Sequence, residues 1–142
     1  MAPAEQHAAA ERLGRILVVD DQPDLADVVS VYFTIAGYEV VSARDGRAAL
    51  VLADTRPFDV VLLDIMMPGM DGVAVLQQMR LRWPHLPVIM LTAISDLERA
   101  KSTLRRGAFD YVSKPFDLDH LHRCVAAALS DRELSVPRGA TA

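Results

Sequence analysis

The sequence predicts a single α/β domain of the doubly wound class, with a parallel sheet covered on both faces. Three observations point there. Runs of consecutive apolar residues, Ile16-Leu17-Val18-Val19, Val60-Val61-Leu62-Leu63 and Val88-Ile89-Met90-Leu91, read as strands buried on both sides. These runs alternate with helical patterns, and the short connections imply right-handed crossovers. Each run ends in a polar signal: Asp20-Asp21, Asp64, Thr92 and, after Tyr111-Val112-Ser113, Lys114.

Residues 1–14 read as a loose leader before a first strand at about 15–20. Pro23 suits the first turn of a helix, and Asp21 can cap it. That helix runs to about residue 36, with Leu25, Val28, Val29, Tyr32 and Phe33 at helical spacing, and Gly37 fits its stop. A second strand covers 38–42. Asp45 opens a helix to about 53, with Ala48, Ala49 and Leu52 on one face. The third strand is 59–63, and the loop from Asp64 to Gly72 is punctuated by Pro68 and Gly69. A helix over about 73–82 closes at Trp83-Pro84. The fourth strand, 87–91, precedes a helix that starts at Ser95-Asp96 and ends near Gly107. The fifth strand is 110–113, and the last helix runs from about 118 to 129. Five strands alternate with five helices. This is a flavodoxin-like domain over residues 15–130, for which 2-1-3-4-5 is the common strand order. Residues 131–142 read as a tail.

The 142 residues suffice for one domain with a proper core. A hydrophobic fraction of 51% and a charged fraction of 24% are those of a soluble globular protein. A net charge of −4 argues against nucleic-acid binding and against attachment to an anionic membrane. No apolar run approaches the ~18 residues of a membrane span. The Ala-rich N-terminus, broken by Glu5, Gln6, His7 and Glu11, lacks the apolar centre of a signal peptide, so a cytoplasmic location is expected. The lone cysteine, Cys124, excludes an intrachain disulfide and reads as a small core residue. His120 and His122 point different ways on a helix and do not share a metal. Met66, Met67 and Met70 read as loop packing, and Arg99, Arg105 and Arg106 as a solvated helix face. Basic residues are 13 Arg and 2 Lys, which singles out Lys114 at a strand end before Pro115.

In open parallel sheets ligands bind beyond the carboxyl ends of the strands. With neighbouring strands about 4.8 Å apart, Asp20 and Asp64 are adjacent, Thr92 lies one strand further and Lys114 two. A short hydroxyl serves the nearer distance and a long amine the farther one. Two full charges at ~4 Å cost about 1 kcal/mol even in water, and more near protein. A bound Mg²⁺ turns that repulsion into attraction, because magnesium takes oxygen ligands and works with phosphate oxygens. Asp64 can then act as a nucleophile that forms an aspartyl phosphate. The metal and Lys114 would neutralise the transferring oxygens, and Thr92 would donate to the phosphoryl product.

The chain resembles the receiver domains of bacterial two-component response regulators from about residue 15 to 129. The matching segments are Ile16-Leu17-Val18-Val19-Asp20-Asp21, Leu63 to Gly72, Leu91-Thr92-Ala93, and Asp110 to Phe116. The resemblance implies that Asp64 accepts phosphate from a histidine kinase or a phosphotransfer protein. It implies Mg²⁺ held by Asp20, Asp21, Asp64 and the backbone carbonyl of Met66, with Lys114 on the phosphoryl group. Thr92 and Tyr111 would form the switch, the hydroxyl moving toward phosphate and the ring turning inward. Lys114-Pro115 is a candidate for the cis bond that receivers often carry there. The fourth helix, fifth strand and fifth helix would form the partner face, and a phosphorylation-dependent homodimer is compatible with it. The domain would transfer phosphate onto itself and hydrolyse it slowly, without turning over an external substrate. About 13 residues follow the last helix, too few for a DNA-binding domain, so output runs through protein contact or through a longer chain.

The alternative is a phosphatase or phosphotransferase of the haloacid dehalogenase type, which also uses an Asp nucleophile. Those enzymes place a second acid two residues later to protonate the leaving group. Met66 occupies that position here and cannot transfer protons. Dinucleotide binding is weaker still, since neither a G-x-G-x-x-G motif nor a Walker A loop is present.

Overall fold

A computed structural model describes residues 12–67 and 69–135. The strands are β1 (Arg15–Val19), β2 (Glu39–Ala43), β3 (Val60–Asp64), β4 (Val88–Ala93) and β5 (Asp110–Lys114). The helices between and after them are α1 (Pro23–Ile35), α2 (Gly46–Thr55), α3 (Gly72–Arg82), α4 (Leu97–Arg105) and α5 (Leu118–Ser135). A single 3₁₀ turn, Ile94–Asp96, leads into α4. All strand pairs are parallel, in the order β2-β1-β3-β4-β5. This is the doubly wound sheet expected from the alternation.

The period-2 alternation of strand side chains divides the interior into two layers. Leu17, Val19, Val61, Leu63, Val88 and Met90 pack against α2, α3 and α4 through Ala49, Leu76, Met79 and Ala100. Ile16, Val18, Val60, Leu62, Ile89 and Leu91 pack against α1 and α5 through Val29, Phe33, Leu121 and Val125. Each fully buried Leu, Ile or Val side chain contributes about 1.5–3 kcal/mol. Both sheet faces are used, which is why the runs read as continuous rather than alternating.

The structure refines several boundaries. β4 continues through Thr92 and Ala93 because β5 extends beside it, pairing Thr92 with Ser113 and Ala93 with Lys114. Asp21 does not cap α1. The N-cap position is Gln22, without a side-chain cap, and Gln22 N instead donates to Asp20 Oδ1 at 2.9 Å. Asp45 does cap α2, accepting from Ala48 N at 2.8 Å. On α1 the buried stripe is Ala26, Val29 and Phe33, so Val28 falls on the exposed side with Val31 and Ile35. α5 continues past residue 129 to Ser135, where Arg132 Nη1 reaches Asp59 Oδ1 at 2.7 Å. Of the leader, residues 1–11 lie outside the described residues, as do 136–142 of the tail. Residues 12–14 are tied down, with Leu13 N donating to Gly37 O at 2.9 Å and Arg12 paired with Glu39.

Candidate functional site

The strand-end residues reach the carboxyl edge of the sheet from opposite faces. Asp20 is in phase with Ile16 and Val18, Asp64 with Val60 and Leu62, and Lys114 with Val112, all in the α1–α5 layer. Thr92 is in phase with Val88 and Met90, and Tyr111 packs on that same layer, beneath α2 to α4. The carboxylates and the amine therefore share one side, and the hydroxyl and the aromatic ring share the side of α4.

β1 and β3 are sheet neighbours although not consecutive in the chain, so their ends flank the topological switch point. There, Asp20, Asp21 and Asp64 each offer an oxygen within 4.8 Å of the others. Asp20 is 1% exposed and Asp64 6%, whereas Asp21 is the more open member. Lys114 Nζ lies 3.0 Å from Asp20 Oδ2 and 3.4 Å from Asp64 Oδ2. It spans β3 and β4 to do so, as its length allows. The Lys114-Pro115 bond is cis.

One ammonium faces three carboxylates, so charge is not balanced. Burial, and next the charge of Asp20, push the Asp64 carboxyl up to about 6, against the opposing pull of Lys114 and of the Met66 N–H. Met66 N donates to Asp64 Oδ1 at 3.2 Å. The loop after Asp64 folds tightly over the strand end, with Gly72 N donating to Ile65 O at 2.8 Å. Gly72 is required there, since a Cβ would sit 2.4 Å from the Asp64 carbonyl oxygen. The Met66 carbonyl accepts no backbone hydrogen bond among the described residues.

Thr92 is 1% exposed, and its hydroxyl donates to the Ala93 carbonyl at 3.1 Å. Tyr111 is half-buried. Cys124 is buried, as expected, and His122 makes edge-on ring contacts with Tyr32, Phe33 and Tyr38. Met67 is buried while Met66 is exposed.

Arg99 departs from the solvated face expected of it. Its Nη2 lies 2.6 Å from Asp71 Oδ2, and its Nη1 lies 2.9 Å from Met66 Sδ. Asp71 is the N-cap of α3, accepting from Ala74 N at 3.0 Å. A signal was present in the sequence. A cation in the first turn of a helix opposes the helix dipole, so Arg99 needs an anion elsewhere.

These features define a class: a doubly wound α/β domain with an acidic, oxygen-lined cup at its switch point. Comparison with known proteins makes this specific. Residues 16–126 match the family model described as the response regulator receiver domain. The regulatory protein AtoC of Escherichia coli (strain K12) is 49% identical over 118 residues, which is 82% of this chain and 25% of AtoC. The DNA-binding transcriptional regulator NtrC of Klebsiella pneumoniae is 45% identical over 118 residues, 83% of this chain and 24% of NtrC. The chain thus spans about a quarter of the length of these curated relatives. Among solved structures, a receiver domain protein from Clostridium thermocellum superposes with a TM-score of 0.83 at 30% identity, covering 87% of this chain and all of that one. The NtrX receiver domain of Brucella abortus gives 0.79 at 38% identity, covering 81% of this chain and 98% of that one.

The chain belongs to the receiver domains of response regulators, the signalling modules of two-component phosphorelays. The haloacid dehalogenase alternative finds no support in these matches.

Proposed function

We propose that Asp64 is the phosphoacceptor, taking its phosphoryl group from a histidine kinase or a phosphotransfer protein. The observation that carries this reading is the cup itself, where three carboxylate oxygens lie within 4.8 Å of one another beside a single ammonium. An ionised Asp64 oxygen attacks phosphorus, forming the Oδ–P bond as the donor's bond to phosphorus breaks. Lys114, already 3.4 Å from Asp64 Oδ2, neutralises the transferred oxygens.

The donor set fits Mg²⁺, which prefers oxygen ligands and is usually held by one or two carboxylates with waters and phosphate. Asp20, Asp21, Asp64 and the Met66 carbonyl would hold it. When bound, it supplies positive charge opposite the phosphoryl oxygens. Thr92 and Tyr111 form the switch, and their position on the α4 side supports an output face made of α4, β5 and α5. That face controls a partner or an output region and can support a phosphorylation-dependent homodimer. The receiver unit, residues 15–130, transfers phosphate only onto itself and hydrolyses it slowly. It acts in the cytoplasm without binding nucleic acid directly. No helix among the described residues is long and apolar enough to cross a membrane.

The test is incubation with acetyl phosphate and Mg²⁺ followed by intact mass. One phosphoryl group is expected on the native chain and none on Asp64→Asn or after chelation of the metal. An unmodified native chain under these conditions would remove the basis of the reading.

A further inference from the structure

We propose that Arg99 is a positioning residue, a latch that holds the phosphoacceptor loop and α4 in the conformation seen here and resists phosphoryl-driven switching. The inference rests on the receiver reading above and adds to it a residue outside the acidic cup.

Arg99 stands in the first turn of α4, where the positive end of the helix dipole repels it. It nevertheless reaches away from its own helix to the loop that follows Asp64. One guanidinium nitrogen pairs with Asp71 at 2.6 Å and another lies 2.9 Å from the sulfur of Met66, two residues past Asp64. Both ends of that loop are therefore gripped from α4, at its start by Met66 and at its close by the residue that caps α3.

The other connection between the site and α4 is the chain itself. It runs from Thr92 through Ala93 and the 3₁₀ turn Ile94–Asp96 into α4. Thr92 now donates its hydroxyl to the Ala93 carbonyl at 3.1 Å. To bond a phosphoryl group on Asp64, that hydroxyl must turn away from Ala93 and draw the start of α4 with it. Arg99, three residues into the helix, then has to leave Asp71 or carry the loop along. The pair opposes the motion in either case. Its side chains are 34% and 43% exposed, so its effect is that of a modest, solvent-screened ion pair.

The experiment measures binding of beryllofluoride, a phosphoryl analogue, with Mg²⁺ to the whole chain by calorimetry. Arg99→Gln is expected to tighten binding by about two- to fivefold, the range set by an exposed pair. Asp71→Asn keeps a side chain that caps a helix about as well as Asp, removes the charge, and is expected to tighten binding equally. The double variant should gain no more than either single one, because both remove the same interaction. Arg99→Lys should restore most of the native value. High salt should erase the gain by weakening the native pair. Unchanged binding in Arg99→Gln, or gains that add in the double variant, would overturn the latch. A native chain that takes up neither beryllofluoride nor phosphate would instead overturn the receiver chemistry on which it rests. A change in thermal midpoint without a change in beryllofluoride affinity would reduce Arg99 to a structural residue and also count against the proposal.

Discussion

The two ends of the sheet carry similar residue types and arrange them in opposite ways. At the amino edge, Glu39 is bonded by Arg12 and Arg15, and Asp59 by Arg132 and the Arg15 backbone N–H. Glu39 and Asp59 each have a guanidinium beside them, and the side chains of these pairs are all partly exposed. At the carboxyl edge two carboxylates are almost fully buried, a third stands beside them, and one ammonium serves the group. At the amino edge the Glu39 and Asp59 charges are matched by neighbouring arginines. The carboxyl edge is stable only to the extent that burial raises a pKa or a cation arrives. The contrast marks where the fold gives up stability to keep two carboxylates buried with one ammonium between them.

The largest effect that separates the two edges is chemical. Asp64→Asn is expected to abolish phosphoryl uptake and Asp59→Asn to leave it intact, both read by intact mass after acetyl phosphate and Mg²⁺.

The next effect is pH dependence. Asp64 has an ordinary value of 3.8 and is held at about 6 in the folded chain. Below 3.8 both the folded and the unfolded chain keep the proton, and the site carries no penalty. Between 3.8 and about 6 the unfolded chain releases the proton while the folded chain keeps it beside Asp20. Stability therefore falls as pH rises, by roughly 3 kcal/mol in full, and levels off once the folded chain has ionised. Urea unfolding in EDTA should show this decline between pH 4 and about 7, and Asp64→Asn should flatten it.

Lys114→Ala removes the one cation from two buried carboxylates. It is expected to cost about 2 kcal/mol at pH 7, less than a fully buried pair because the lysine keeps some solvent contact. The loss should shrink at pH 5, where Asp64 holds its proton.

The amino edge gives the smallest effects. Asp59→Ala is expected to cost about 1 kcal/mol, because the Arg15 N–H at 2.7 Å loses its acceptor. Arg132→Ala should cost under about 1 kcal/mol, with the loss fading at high salt, and should fray the end of α5 in hydrogen exchange.

The sheet was legible in the sequence because each central strand is buried on both faces and so appears as an unbroken apolar run. The cup was legible because its members, Asp20, Asp64 and Lys114, stand where those runs end. Asp64 and Lys114 proved to close β3 and β5, and Thr92 to lie inside β4, since paired neighbours extend a strand beyond its apolar stretch. Capping by Asp21 was a local inference that the tertiary structure replaced, with Asp20 taking the Gln22 N–H instead. The rotation of α1 was not legible, because Val28 and Val29 are equally apolar and only the sheet selects between them. The length of α5 and the identity of the anion that Arg99 reaches were also hidden. Each depends on one long side chain meeting a carboxylate from a distant segment, Arg132 with Asp59 and Arg99 with Asp71. Periodicity carries no record of such pairs.

The most direct measurement is an NMR titration of the Asp64 carboxyl carbon, with and without Mg²⁺. The account predicts a midpoint near 6 in EDTA and a fall below the ordinary carboxylate value when millimolar Mg²⁺ is added. A midpoint already near 3.8 that does not respond to the metal would contradict it.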